Sequence, residues 1–143
     1  MKRMLADPLQ VARDRGMRRA LEEWQKSENL SLNAAAEYSG CPTLTINEER
    51  RKGRLYALVL PGKERGHRYP QWQFDVEPER LAAVLGPFIF AESSCWRIHS
   101  FLHQPQEALG GVSPRDRLLD ATYPIARIVE VAARRLLGDQ GAG

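Results

Sequence analysis

Three side chains able to bind a transition metal, Cys95, His99 and His103, stand at i, i+4 and i+8. On a helix all three would project from one face. One ion cannot take all three, because at 1.5 Å per residue the outer pair is about 12 Å apart along the axis while metal–ligand bonds are near 2 Å. His99 and His103 either share an ion or, in the commoner arrangement, flank a packing surface as neutral imidazoles. His67 and Cys41 with a carboxylate would make a nucleophilic set, but nothing in their spacing places them together. The basic run from Gly62 to Gly66 matches neither phosphate-loop pattern. No catalytic set and no cofactor follow from these residues, and the chain reads as a non-enzyme. A small enzyme, the reading left over, would need a pocket around His99 or His67.

The remaining chemistry is recognition. Residues 1–76 hold fourteen Lys/Arg against ten Asp/Glu, and residues 77–143 hold seven against eight. The basic half is therefore N-terminal, which permits a phosphate-binding surface without demanding one. The 143-residue chain is long enough for one domain or two small ones, and its hydrophobic share of 43% and charged share of 27% are ordinary for a globular protein. No segment approaches the roughly 18 apolar residues of a membrane span. Residues 4–16, MLADPLQVARDRG, show no long apolar core or cleavage site, and two cysteines give no disulfide framework, so a cytoplasmic location is expected.

The elements that must position these side chains are mostly helices. After Asp7-Pro8, Met17, Leu21 and Trp24 fall at helical spacing and predict an amphipathic helix over residues 9–27, crowded with Arg13, Arg15, Arg18 and Arg19. Those arginines form a solvated face or an added phosphate contact. Ser31 caps a short helix, LNAAAEYS, which stops at Gly40-Cys41-Pro42, and Thr43 is placed to cap a second one running to Lys52. RLYALVL then reads as a strand, Pro61 to Gly66 as a turn and HRYPQWQF as a second extended run kept out of helix by Pro70. The result is helix, turn, helix and β-hairpin, the order of a winged helix-turn-helix.

Pro78 opens the second half, which reads as all helix. One helix carries Leu81, Val84 and Leu85 and is broken at Gly86-Pro87; another starts at Ser93 or Ser94 and carries Trp96 to Leu102. Pro105 then stops the chain, Gly110-Gly111 turns it, and Ser113-Pro114 restarts a helix with an N-cap and a proline at the first helical position. This makes a rigid corner that either is buried in the module's own core or presents Leu109 and Val112 to a partner, or does both, with the turn fixing the core while its rim binds. A final helix from Pro124 to Leu137 places Ile125, Ile128, Val129, Ala132 and Leu136 along one stripe; Gly138 ends it, and residues 139–143 should be mobile. The expected architecture is mainly α with a small β-hairpin wing: an N-terminal helix (1–29), a winged helix-turn-helix (30–76), a helical module (77–138) and a tail.

Ala36, Gly40 and Ile46 stand at the offsets a helix-turn-helix needs for its crossing, turn and anchor. In that frame Thr43, Thr45, Asn47 and Arg51 point outward toward base edges, and Lys52, Arg54, Lys63, Arg65 and Arg68 toward phosphates. The segment AEYSGCPTLTINEERRKGRLYALVL followed by RYPQWQF resembles the excisionase/MerR-like winged-helix family over about residues 30–75.

The run from Trp96 through FLHQPQEALGGVSPRDRLL to IVEVAARRLL resembles the toxin-binding domain of the Xre/MbcA/ParS-type antitoxins, with the pattern P-x-x-x-L-G-G-x-(S/T)-P-x-x-x-L at Pro105, Leu109, Gly110, Gly111, Ser113, Pro114 and Leu118. The resemblance covers about residues 78–138. It implies that Trp96, Phe101, Leu102 and the motif residues serve binding of a RES-domain toxin, a family that consumes NAD, with the C-terminal helices and tail covering the toxin's cofactor cleft. Arg134 and Arg135 then reach acidic or phosphate-recognising surfaces of the toxin, or merely favour the helix dipole. Operator DNA, a homodimer or a toxin–antitoxin hetero-oligomer are the further partners implied. The alternative is a stand-alone DNA-binding regulator whose C-terminal helices only dimerise.

Overall fold

The computed structural model describes residues 7–141. Seven α-helices follow in chain order: α1 (Pro8–Trp24), α2 (Leu32–Ser39), α3 (Thr43–Arg51), α4 (Pro78–Phe90), α5 (Cys95–His103), α6 (Pro114–Leu119) and α7 (Ile125–Gly141). Among the described residues one small sheet pairs β1 (Asn29–Leu30) antiparallel with β2 (Tyr69–Pro70). The protein is thus mainly α with a small β element. None of the described helices is long and apolar enough to cross a membrane.

Local sequence chemistry sets most helix ends. Asp7 accepts from the Leu9 amide, Ser31 from Ala34, Ser94 from Arg97 and Ser113 from Asp116, so four N-termini carry the side-chain acceptor that their exposed amides require. Gly40 closes α2 in the left-handed region at φ 74°, a conformation that costs glycine nothing. Thr43 does not cap α3; Pro42 holds that position and Thr43 is already helical.

Three further expectations are corrected. Gly86-Pro87 does not break α4, which runs through to Phe90. Pro87 gives up one intrahelical hydrogen bond, but Val84, Leu85 and Phe88 are fully buried against the rest of the core, and that packing outweighs the loss. Gly138 likewise lies inside α7, so residues 139–141 continue the helix, while Ala142 and Gly143 fall outside the described residues. RLYALVL is not a regular strand. Among the described residues its one backbone pairing with the following segment is at Leu58 and Arg68, which exchange hydrogen bonds of 2.7 and 2.9 Å and close the wing as a loop.

The reason lies in what satisfies residue 56. Tyr56, Ala57 and Leu58 are all buried in succession, which a half-exposed strand would not allow. The backbone of Tyr56 is paired by a side chain: its amide donates to Gln73 Oε1 (3.1 Å), and Gln73 Nε2 donates to its carbonyl (2.8 Å). Gln73 sits in a 3-10 helix, Gln71–Asp75, that follows β2, and β2 finds its backbone partner in β1 instead.

The larger hydrophobic cluster joins the two halves. Tyr56 and Leu58 of the winged half are buried in the same cluster as Val76, Leu81, Val84, Phe88, Phe101, Leu109, Leu118, Ile128 and Leu136. A smaller cluster of Ala35, Ile46, Ala57 and Tyr69 anchors α2 on α3. Ala35, rather than Ala36, is the fully buried small residue at that crossing. The boundary expected at residue 77 is therefore not a division between cores. Along α1 the expected stripe is left open: Met17 is 45% and Leu21 37% exposed, and only Ala20 is buried.

Candidate functional site

The corner after α5 is built by hydrogen bonds that its sequence makes possible. Gln106 N–H donates to the Val112 carbonyl, and the amides of Leu109, Gly110 and Gly111 donate back to Gln106, Glu107 and Gln106. Gly110 (φ 74°) and Gly111 (φ 76°) occupy the left-handed region that the reversal needs. Arg117, one turn into α6, then donates from Nε (3.0 Å) and a terminal nitrogen (2.9 Å) to the Leu109 carbonyl and stacks its guanidinium 4.4 Å from the Tyr123 ring centre. A Cβ at Gly110 would come within 2.9 Å of that guanidinium. Below the corner, Arg80 of α4 reaches the carbonyls of Asp120 (3.0 Å) and Tyr123 (2.9 Å), tying the α6–α7 connection to α4. Neither arginine stands out in the sequence, because nothing in its spacing marks a guanidinium aimed at carbonyls from another element.

The motif residues divide by depth. Phe101, Leu102, Leu109 and Leu118 are at most 2% exposed, and Pro114 is also buried. They cannot touch a partner in this fold; the corner turns its apolar side chains inward because the core behind it is where their burial stabilises most. Leu109 is therefore removed from the presented surface, and Val112 is half-buried. What the corner exposes is Pro105, Glu107, Ala108, Gly110 and Gly111. Trp96 is half-buried and donates from Nε1 to the Val59 carbonyl at 2.9 Å, so it fastens the wing to α5. Arg134 pairs with Glu130 one turn away, and Arg135 reaches toward Gln104.

The residues expected to read DNA also separate. Arg51 and Lys52 end α3 exposed, and Lys63 and Arg65 are exposed on the wing loop. Asn47 is half-buried and accepts from the Tyr69 hydroxyl (3.4 Å), which in turn accepts from Arg50 Nε at 3.0 Å. Thr43 is half-buried, and Thr45 does not point outward: it faces a groove of about 300 Å³ shared with Glu49, Arg54 and Phe74. The exposed residues of α3 are Leu44, Glu48 and Arg51. Arg54 is drawn between Glu49 (2.9 Å) and Glu79 (3.2 Å), and Arg68 lies 4.3 Å over the Trp24 ring. Trp24 also donates to the Gly66 carbonyl at 2.8 Å, so the end of α1 braces the wing.

Cys95, His99 and His103 do lie along one helix, but their roles differ. The His99 and His103 ring centres lie 4.1 Å apart with the planes tilted by 45°, His103 Nδ1 donates to the His99 carbonyl, and Cys95 Sγ faces the Val59 carbonyl. His99 sits in a hydrogen-bonded chain that spans the molecule: Tyr56 hydroxyl to Nδ1 (2.8 Å), and Nε2 to Glu23 of α1 (3.2 Å). Burial, with His103 alongside, pushes His99 down to about 4, and burial pushes Tyr56 well up. Near neutrality Tyr56 therefore donates, His99 is neutral with its proton on Nε2, and Glu23 accepts. Burial acts to raise Glu23, but hydrogen bonds from Lys26 and His99 outweigh it and hold the carboxyl below its ordinary value. With both ring nitrogens engaged, His99 has no lone pair free to take a substrate proton. Cys41 and His67 line different cavities. Among the described residues no group of three His, Cys, Asp or Glu could hold a metal ion. No family model matches the chain, and neither a characterised protein nor a solved structure matches it.

Proposed function

We propose that this chain is an antitoxin that binds and inhibits a RES-like, NAD-consuming toxin through its C-terminal helical module, and that it represses its own promoter through α3 and the wing. The observation that carries this reading is the Pro105–Pro114 corner: its apolar residues are spent on the core while Pro105, Glu107, Ala108, Gly110 and Gly111 form a stiff, exposed rim. A preorganised rim loses little entropy on binding, which is what a protein-facing turn requires. Exposed Arg51, Lys52, Lys63 and Arg65 support the DNA clause.

The test is co-expression with a RES-domain protein encoded beside this chain's gene. The unaltered chain should rescue growth, and Ala108→Arg should abolish rescue while leaving the melting temperature unchanged, since the site is exposed. Full rescue by both Ala108→Arg and Glu107→Arg would remove the corner from the toxin interface. A second reading, a stand-alone DNA-binding regulator whose helices dimerise, is favoured by Phe90, which ends α4 at 93% exposure. It requires a dimer of the chain alone and no dependence on a neighbouring gene.

A further inference from the structure

The wing turn, the end of α3 and the α4–α5 junction enclose a cleft of about 420 Å³, within the roughly 300–1,000 Å³ of small-molecule sites. Leu60, Ile89, Trp96 and Ile98 give it apolar walls, and Arg50, Lys63 and His67 also line it. None of the described acidic residues does. Lys63 is exposed and makes no ion pair or side-chain hydrogen bond among the described residues, while the Arg50 guanidinium uses only Nε, on the Tyr69 hydroxyl at 3.0 Å. Burial, with Arg50 alongside, lowers His67, which near neutrality is therefore an uncharged ring with one N–H to donate. Two cations and an N–H donor thus share an apolar cleft without a counter-charge, and an anion that carries an apolar body would complete it.

The wing backbone beside the cleft decides what kind of body fits. Both backbone groups of Tyr56 are already bonded by Gln73 and both of Leu58 by Arg68. The Val59 carbonyl accepts from Trp96, and the Leu60 carbonyl from the Lys63 amide. A peptide lying here would bring N–H and C=O groups that find few partners on this wall, whereas a hydrocarbon tail needs none.

We propose that this cleft binds a free medium-chain carboxylic acid, its carboxylate held by Arg50, Lys63 and His67 and its tail against Leu60, Ile89 and Ile98. Lys63 also belongs to the proposed DNA surface, but the inference depends on neither the DNA nor the toxin reading. It is tested on the full chain by NMR titration with sodium octanoate, with hexanoate, 1-octanol and N-acetyl-leucyl-leucine as controls. Octanoate should shift the His67 ring and Trp96 indole resonances saturably. Hexanoate should bind about tenfold more weakly, because two fewer methylenes leave water, and octanol, with the same tail and no charge, should also bind more weakly. Lys63→Gln should weaken octanoate about fivefold, the effect of one partly exposed charge pair, with the melting temperature unchanged. Hexanoate or octanol binding as tightly as octanoate, the dipeptide binding more tightly, an unaffected affinity in Lys63→Gln, or no shift with any probe would each overturn the proposal.

Discussion

His99 bonds through its two ring nitrogens to Tyr56 and to Glu23, and its environment has a sign. Its ordinary value near 6.5 falls to about 4 in the fold through burial and the neighbouring His103. Between those values the unfolded chain takes up a proton that the folded chain refuses, so stability is complete above about pH 6.5 and declines as the pH falls toward 4. Urea unfolding at pH 7 and pH 5 should differ by on the order of 2 kcal/mol, and His99→Phe should flatten that slope while lowering stability at pH 7 by orphaning the Tyr56 hydroxyl. An unchanged slope in the variant would assign the pH dependence to other groups, His67 first, which burial also lowers from 6.5. The sequence marks His99 only through its spacing from Cys95 and His103, which suggests a metal. Its actual partners lie 43 and 76 residues away, and no local pattern encodes them.

At the scale of elements, α3 and the wing offer a sharper expectation than a count of basic residues. Arg54 is held by two carboxylates and Arg68 by the Trp24 ring, whereas Arg51, Lys52, Lys63 and Arg65 are free to face a phosphate backbone. Operator binding measured against salt should therefore lose about 0.9 from its logarithmic slope in Arg65→Ala and keep its slope in Arg54→Ala. Equal losses would show that Arg54 leaves its carboxylates on binding. The helix starts at Ser31, Ser94 and Ser113 and the turn at Gly40 are legible in the sequence because each is a local bargain between one side chain and its own backbone. The continuation of α4 through Pro87 is not, since the burial of Phe88 against Phe101, with ring centres 5.0 Å apart, is decided by a helix further along the chain. For the same reason the sequence leaves open whether Leu109 is presented or core, and it proves to be core: spacing gives the corner but not which side of it faces in.

For the whole molecule, the shared core means that the two halves stand together. Tyr56 and Leu58 are buried among residues from α4 to α7, and Trp96 and His99 of α5 bond back to Val59 and Tyr56. A fragment of residues 1–76 should therefore lack cooperative unfolding by circular dichroism, because it would expose the apolar faces that α4 and α5 cover. A cooperative transition near that of the full chain would show that the winged half is a domain in its own right. The segment that splices the halves owes its alignment to Gln73, whose amide serves Tyr56 as a neighbouring strand would. Backbone ladders are blind to sequence and can slip by two residues with all their bonds remade. A rung supplied by one side chain cannot: displace residues 54–60 along their path, and the amide that waited for Tyr56 has nothing equivalent to hold, so this stretch has a single permitted seating.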